Sequence, residues 1–267
     1  MHDRPVREPE ADTNVRRACV APAACRSELE QAYRLVYTSY LQRGYIEPNP
    51  TGIRLSIFNA FPTTVTFVSV LEGTVIATVS LVADTPVGLP MDEIYHDEVQ
   101  ALRDQGRKLA EVTMLADRRR ELHRALPMLL FMMKRVFDYA TLVLKANDLC
   151  ITINPRHEDY YEQYLLFRPL GGLRTYPSVR NNPALAKRLD LDNVREMCEG
   201  NQGLIDQFFT DRTPLEVLKR GYRMQPQDLG YFFTELTGLF RGAPSDVIDC
   251  LRSHCPECSW AEWTSPD

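Results

Sequence analysis

The chain has 267 residues, of which 44% are hydrophobic and 25% are charged, and its formal net charge is -5. These values are typical of a globular protein with a substantial core, and the mild negative charge gives no indication of nucleic-acid binding. The densest apolar stretch, from Leu126 to Phe131, is far shorter than the roughly 20 residues that cross a bilayer. The N-terminus is polar and rich in proline, so we expect no secretory signal, no stable membrane insertion and a cytoplasmic protein.

The seven cysteines have scattered spacings, which favours reduced thiols over a disulfide framework. Cys250, His254, Cys255 and Cys258 contain one Cys-x-x-Cys pair, which is half of a zinc site. All ligands would come from one short segment, which is geometrically awkward, so we expect no metal. Whether these cysteines bind one stays open.

The first predicted element is a helix. Residues 1–26 lack periodicity and are expected to form a mobile tail. Ser27 and Glu30 can form a capping box, and apolar residues then recur at helical spacing as far as Tyr40. The proline- and glycine-containing residues 45–63 are expected to form a long loop.

The following pattern alternates between strands and helices. A β-hairpin is predicted over 64–71 and 74–82, followed by a helix over 92–105, a strand over 111–116, a long helix over 122–144, a strand over 148–153, a helix over 156–165 and turn and strand over 167–179. This order predicts an α/β (α+β) domain over 27–192, with a mixed sheet and helices on both faces. From residue 193 the pattern becomes helical, with helices over 214–220, 226–240 and 244–253, and predicts a C-terminal extension over 193–267.

The segment from Asn154 to His157 follows a predicted strand directly. A strand that ends at a proline and continues as a helix places polar side chains at the carboxyl edge of the sheet, where ligands bind in open α/β folds. His157 can titrate near neutrality, and Tyr161 shares its helix face. The alternative is that His157 bonds to the backbone and that the tyrosines belong to the core.

Glu111 begins a strand inside an apolar run. A buried, unpaired carboxylate is costly, so Glu111 is a candidate for an activated base. The alternative is a salt bridge to Lys108 or Arg107. Strand alternation predicts that Glu111, Thr113 and Leu115 share one face.

Arg118, Arg119, Arg120 and Arg124 form a basic cluster between a strand and the long helix. Such a cluster can hold a phosphate through charge-assisted hydrogen bonds. The alternative is a solvated connector.

Several segments together resemble bacterial N-acyl amino acid synthases of the FeeM type, over roughly residues 27–190. They are RLSIFNAFP from Arg54 to Pro62, TFV from Thr66 to Val68, GTVIATVSLV from Gly73 to Val82 followed by Asp84, GLPMD from Gly88 to Asp92, then Tyr95, Glu98, Val99, Leu102, Arg103, Gly106, Arg107, AEV from Ala110 to Val112, NPRH from Asn154 to His157, and Tyr161. No single segment is specific, but their order and spacing are.

The resemblance implies a GNAT-like acyltransferase fold with a helical C-terminal appendage. It also implies transfer of a long-chain acyl group from acyl carrier protein to the amine of an amino acid. The chain lacks the glycine-containing loop that holds coenzyme A in ordinary GNAT enzymes, and its connector is rich in arginine instead. We therefore expect no tightly bound cofactor and a phosphopantetheine thioester, carried by acyl carrier protein, as donor.

Glu111 is expected to be the base and His157 the second candidate, with Tyr161 protonating the leaving thiolate. Substrate and carrier contacts are expected from Thr113, Met114, Asn154, Arg156, Arg118, Arg119, Arg120 and Arg124. An acyl-homoserine lactone synthase is an alternative, although its Arg- and Trp-containing N-terminal signature is absent and the only tryptophans are Trp260 and Trp263. A non-catalytic module that binds acyl carrier protein is a further alternative.

Overall fold

A seven-stranded sheet forms the centre of the protein, with strand order β1-β2-β3-β4-β5-β7-β6. The computed structural model describes residues 19–118 and 122–265, excepting the side chains of Cys19 and residues 122–126. The strands are β1 Cys19–Pro22, β2 Val65–Leu71, β3 Thr74–Ala83, β4 Leu109–Asp117, β5 Asp148–Ile153, β6 Arg168–Tyr176 and β7 Asn182–Asp190. Every neighbouring pair is antiparallel except β4 and β5. The mixed sheet predicted from the sequence is therefore confirmed.

The first strand lies inside the segment that was expected to be a mobile tail. Residues 19–22 pair antiparallel with β2, from Cys19 opposite Val70 to Pro22 opposite Phe67. The tail prediction is wrong for residues 19–22. Pairing with β2 satisfies the hydrogen bonds of their backbone. The partner strand is distant in sequence, so the local pattern of residues does not reveal this pairing. The predicted tail residues 1–18 lie outside the described part.

Helices cover both faces of the sheet. On one face lie α1 Arg26–Gln42 and α2 Asp92–Asp104. On the other lie α3 Leu122–Tyr139, which continues as a π-helical turn over Ala140–Leu144, and α4 Glu158–Leu165. Short 3-10 turns occur at Ile57–Ala60, Pro155–His157 and Pro177–Val179. The long helix over 122–144 was predicted as one element, and the structure differs only in the winding of its last turn.

Strand β7 was not predicted. Its sequence contains Pro183, Lys187 and Arg188, which weaken the β pattern. Lys187 is only 1% exposed, and its ammonium pairs with Glu158 and Glu162 of α4. These two carboxylates neutralise the buried charge of Lys187. Because they lie on another element, the local sequence of β7 does not predict that the lysine can be buried.

The C-terminal extension is helical, as expected from the sequence. It contains α5 Val194–Met197, α6 Gln202–Phe209, α7 Leu215–Leu218, α8 Pro226–Gly230 followed by a π-helical turn Tyr231–Leu236, α9 Ser245–His254 and α10 Trp260–Trp263. Phe208 and Leu218 join the core beneath α3, whereas Phe232, Phe233 and Trp260 join the core beneath α1. The extension therefore packs on both faces of the sheet.

Two further findings concern membranes and cysteines. No helix in the described part of the chain is long and apolar enough to cross a membrane.

Cys255 and Cys258 form a disulfide, so the expectation of reduced thiols is wrong for this pair. The turn between α9 and α10 holds their Cα atoms 5.9 Å apart, which lies within the ordinary range for a disulfide.

Candidate active site

A cavity of about 180 Å³ lies where β4 and β5 separate. The parallel pairing extends from Leu109 opposite Asp148 to Val112 opposite Ile151, and the strands diverge beyond that point. Polar and aromatic residues from several segments of the chain line the cavity. They are Tyr40, Tyr45, Arg54, Ser56, Phe58, Glu93, Glu111, Thr113, Thr152, Asn154, Tyr176, Ser178 and Asn182. The fold thus brings together residues that are far apart in sequence.

Glu111 is the buried carboxyl group of this cavity, with 2% of its surface exposed. Burial raises its pKa to about 8, and the neighbouring Asp92 carboxylate adds to the increase. The Met91 N–H donates to Oε2 at 2.7 Å and partly opposes this shift. The expected salt-bridge alternative is wrong for Arg107, which pairs with Asp148 and Asp190 instead. Glu111 therefore takes up and releases a proton near neutral pH.

A β-bulge lies in β4 between Thr113 and Ala116, shortly after Glu111. Ser80 pairs with Thr113 and Thr78 with Ala116, so β4 contains one residue more than β3 over this interval. Met114 has a φ of 54°, in the left-handed region that unbranched L-residues adopt at a cost of about 1–2 kcal/mol.

The bulge changes which side chains share a face. Glu111 and Thr113 line the cavity, but Leu115 packs into the core beneath α3, on the opposite face. The prediction that all three share one face is therefore wrong for Leu115, because the extra residue shifts the alternation by one. The same irregularity, together with the end of the pairing with β5 at Val112, brings Thr113 and Met114 to the wall of the cavity.

Two tyrosines flank Glu111. Burial raises the pKa of Tyr40 and of Tyr176, and the Glu111 carboxylate contributes to both increases. The Tyr176 hydroxyl donates to the Pro90 carbonyl at 3.0 Å. Neither tyrosine was a predicted site residue, since Tyr40 belongs to the apolar stripe of α1 and Tyr176 ends a strand. Only the fold places them next to a carboxyl group.

His157 and Tyr161 do not line the cavity with Glu111. His157 lies in the turn after β5, and its Nε2 accepts from Arg156 Nε at 3.0 Å. Partial burial and the charges of Arg156 and Arg43 lower its pKa, so its imidazole is neutral near pH 7. Tyr161 is 5% exposed within the core beneath α3. Burial raises its pKa, and the Tyr40 phenol adds to the increase, which places Tyr161 within electrostatic reach of the cavity through Tyr40.

A second, open cleft of about 570 Å³ is basic. Arg34 and Arg43 of α1, Arg118 at the end of β4 and Arg156 after β5 line it, with Asp117 as the acidic group among the described lining residues. The Arg156 Nη2 donates to the Tyr45 hydroxyl at 2.7 Å.

Tyr45 also lines the cavity that contains Glu111, so Arg156 and Tyr45 connect the cleft to the cavity. Of the four arginines of the cleft, Arg156 therefore contacts a residue of the carboxyl-containing cavity.

The predicted contact residues fall into three groups. Thr113, Met114 and Asn154 line the cavity, whereas Arg118 and Arg156 line the basic cleft. Arg119 and Arg120 lie outside the described residues, as does the side chain of Arg124. A third cavity of about 270 Å³ lies between α1, β2 and the C-terminal helices and contains none of the predicted site residues.

Among the described residues, no group of three or more His, Cys, Asp or Glu side chains is placed to hold a metal ion.

The chain is similar to known proteins in both sequence and fold. The model of the N-acyl amino acid synthase FeeM family matches residues 31–190. The structure of FeeM, an N-acyl amino acid synthase from uncultured soil microbes, is 32% identical with a TM-score of 0.59, and the match covers 67% of this chain and 95% of that chain. No match was found among curated proteins.

A more distant structural match is BjaI, a CoA-dependent acyl-homoserine lactone synthase solved with SAM and isopentyl-CoA. It is 18% identical with a TM-score of 0.52, over 76% of this chain and 98% of that chain, and so shows the shared fold alone. The fold is GNAT-like, as the sequence implied. The family match over residues 31–190 and the identity to FeeM show that the chain belongs to the N-acyl amino acid synthase FeeM family and is an N-acyltransferase.

Proposed function

We propose that the chain transfers a long-chain fatty acyl group from the phosphopantetheine thioester of acyl carrier protein to the amine of an amino acid. The observation that carries this proposal is the buried Glu111, whose pKa is raised to about 8, beside a bulge in β4 and at the point where β4 and β5 separate. A carboxyl group of this kind is suited to remove a proton from an amine near neutral pH. We keep the cytoplasm as the expected location.

In this mechanism Glu111 takes a proton from the acceptor amine, directly or through water. The amine nitrogen attacks the thioester carbonyl and forms the new C–N bond. Backbone N–H groups near Thr113 and Met114 stabilise the oxyanion that develops on the carbonyl oxygen. The intermediate collapses, the C–S bond breaks, and the leaving thiolate takes a proton from Tyr161 by way of the Tyr40 phenol, which lines the cavity. Burial raises the pKa of both phenols and keeps them protonated. No covalent bond to the enzyme forms.

The basic cleft supports a carrier protein as donor. Arg34, Arg43, Arg118 and Arg156 are all exposed there, and their charge suits the phosphate of the prosthetic group and an acidic carrier surface. The sequence predicted carrier contacts at Arg118, Arg119, Arg120 and Arg124. We add Arg34 and Arg43 of α1 to these proposed contacts. The Arg156–Tyr45 contact marks where the thioester end passes from cleft to cavity.

The acyl chain needs more space than the cavity provides. Its volume of about 180 Å³ is below the range of roughly 300–1,000 Å³ for sites that bind drug-sized ligands. We place the head group and the reacting carbonyl in the cavity and the chain in the gap between β4 and β5. Met128, Met132 and Met133 of α3 are buried on the far side of the sheet, and methionine side chains rearrange at low cost.

A Glu111→Gln variant tests the base. Glutamine is nearly isosteric but cannot accept the proton, so we expect kcat/KM with long-chain acyl carrier protein to fall by roughly 100-fold or more. In the wild type, kcat/KM should rise with pH through an apparent pKa near 8, because Glu111 acts only when ionised. This limb should be absent from the variant.

The matched control is Glu72→Gln in the exposed hairpin turn, which should keep the wild-type profile. A Glu111→Gln enzyme with the full wild-type rate would remove Glu111 from the base role.

A further inference from the structure

The charged groups of the cavity include one cation. Among the described residues that line it, Arg54 is the cationic side chain, and Glu93 and Glu111 are the carboxyl groups. An α-amino acid at neutral pH carries one carboxylate and one ammonium. The cavity therefore offers a guanidinium to the carboxylate of such a zwitterion and carboxyl groups to its ammonium.

Arg54 is held in place and still has hydrogen-bonding capacity. Its backbone N–H donates to the Tyr33 carbonyl at 3.3 Å, which ties the loop before β2 to α1. Its guanidinium donates to the Ser178 carbonyl at 3.2 Å and, weakly, to the Leu55 carbonyl at 3.5 Å. A guanidinium has five N–H donors, so most of its donors remain for a ligand within the described surroundings.

The Arg54 charge lies close to the reacting groups. It opposes the increase in pKa of both Tyr40 and Tyr176, the same phenols that the Glu111 carboxylate influences. Arg54 and Glu111 therefore lie around one small space, flanked by the same two tyrosines. An acceptor that spans this space would place one charged end at each of them.

We propose that Arg54 binds the α-carboxylate of the acceptor amino acid and so orients the α-amine toward Glu111. A guanidinium forms two parallel hydrogen bonds to a carboxylate, which fixes orientation as well as position. Glu93 attracts the ammonium as the acceptor approaches. This assignment rests on the proposed function. It adds a residue that recognises the carboxylate, which is the group that distinguishes an amino acid from a simple amine.

The test compares amino acids with their α-carboxamides. Purified full-length enzyme and long-chain acyl carrier protein are assayed with the twenty amino acids, and the best acceptor is then compared with its own α-carboxamide. The quantity measured is the ratio of kcat/KM for the acid to kcat/KM for the amide, in the wild type, in Arg54→Met and in Arg54→Lys. Because both substrates are measured on the same preparation, the ratio does not depend on the folded fraction.

We expect Arg54→Met to lower this ratio by about 10- to 100-fold through a higher KM for the acid, with the amide little affected. The ratio for Arg54→Lys should lie between those of the wild type and Arg54→Met, because lysine keeps the positive charge but lacks the paired N–H donors. The control is Arg180→Met, which removes an exposed arginine that pairs with Glu47 outside the cavity. It should keep the wild-type ratio.

An Arg54→Met enzyme with the wild-type ratio, or with equal losses for acid and amide, would overturn the assignment of Arg54. A wild-type enzyme that acylates no amino acid would overturn the proposed function itself, and the assignment with it. The two failures are therefore distinguishable.

Discussion

At the scale of single residues, the protonation of Glu111 links the chemistry of the site to the stability of the fold. Its carboxyl group is buried, and its pKa is raised from 4.5 to about 8. The folded state therefore holds a proton on Glu111 over a pH range in which the unfolded state has released it. By linkage, the contribution of Glu111 to stability is fully present below pH 4.5 and is lost as the pH rises through 8.

A comparison of the wild type with Glu111→Gln measures this linkage. We expect the free energy of unfolding of the wild type to decline, relative to the variant, between pH 5 and pH 9, by the order of a few kcal/mol. Glutamine does not titrate, so the variant lacks this component of the decline. Urea unfolding across this pH range provides the measurement, and parallel curves for the two proteins would show that Glu111 is not held protonated by burial.

The sequence allowed Glu111 to be singled out because a carboxylate inside an apolar run is unusual. The same reasoning could not find Tyr40, Arg54 or Tyr176. An aromatic residue in a helical stripe is typical of a core, and an arginine in a loop is typical of the surface. Their role follows from distances between segments, which local patterns do not contain.

At the scale of secondary-structure elements, the bulge in β4 determines the shape of the site. Simple alternation predicted Glu111, Thr113 and Leu115 on one face, and the structure departs from it at Met114. A residue with positive φ that is neither glycine nor asparagine gives no signal in the sequence. The bulge is therefore known only from the structure.

Substitutions at Met114 test the bulge. Met114→Ile keeps the apolar volume but places a branched Cβ at a φ of 54°, where branched residues are strongly disfavoured. We expect kcat to fall by about tenfold or more as the strand straightens and the backbone donors move, with little change in KM. Met114→Leu has an unbranched Cβ and should keep most of the activity. Equal activity in the two variants would show that this backbone conformation is not needed for catalysis.

The pair of neighbouring strands β5 and β7 shows a different limit of prediction. The strand over 148–153 was predicted correctly because it is continuously apolar. Its partner β7 was not, because a buried lysine contradicts the usual strand pattern. The pairing of Lys187 with Glu158 and Glu162 makes this strand possible, and those partners lie on α4.

At the scale of the whole molecule, charge is distributed unevenly. The formal net charge is -5, yet four exposed arginines line one cleft, which meets the site at the Arg156–Tyr45 contact. An acidic partner would be repelled by the protein as a whole and attracted locally. Electrostatic guidance to this cleft should therefore be sensitive to salt.

Reversal of charge in the cleft tests its role. We expect Arg43→Glu with Arg156→Glu to raise the KM for acyl carrier protein by about tenfold or more at low ionic strength and to leave the KM for the amino acid nearly unchanged. Added salt should reduce the difference between this variant and the wild type. The control is Arg252→Glu with Lys219→Glu, which reverses the same number of exposed cations away from the cleft. Equal effects of the two changes would indicate a response to net charge alone.

The sequence predicted that residues 193–267 form helices. It did not predict where these helices pack on the sheet domain. Asp138 of α3 is fully buried and accepts from the Thr213 N–H at 2.8 Å and from the Thr213 hydroxyl at 2.7 Å. Arg212 also pairs with Asp138. This network, together with Phe208, Phe232 and Phe233 in the two cores, joins the extension to the domain through contacts that span long sequence separations.

The central claim is that the chain forms an amide between a long acyl chain and an amino acid, with acyl carrier protein as donor. The most direct measurement incubates the purified protein with equal concentrations of long-chain acyl carrier protein or the matching acyl-coenzyme A, together with the twenty amino acids, and identifies products by mass spectrometry. We expect an N-acyl amino acid to form, and to form faster from the carrier protein. No N-acyl amino acid from either donor would contradict the account, and a faster reaction with acyl-coenzyme A would contradict its assignment of the donor.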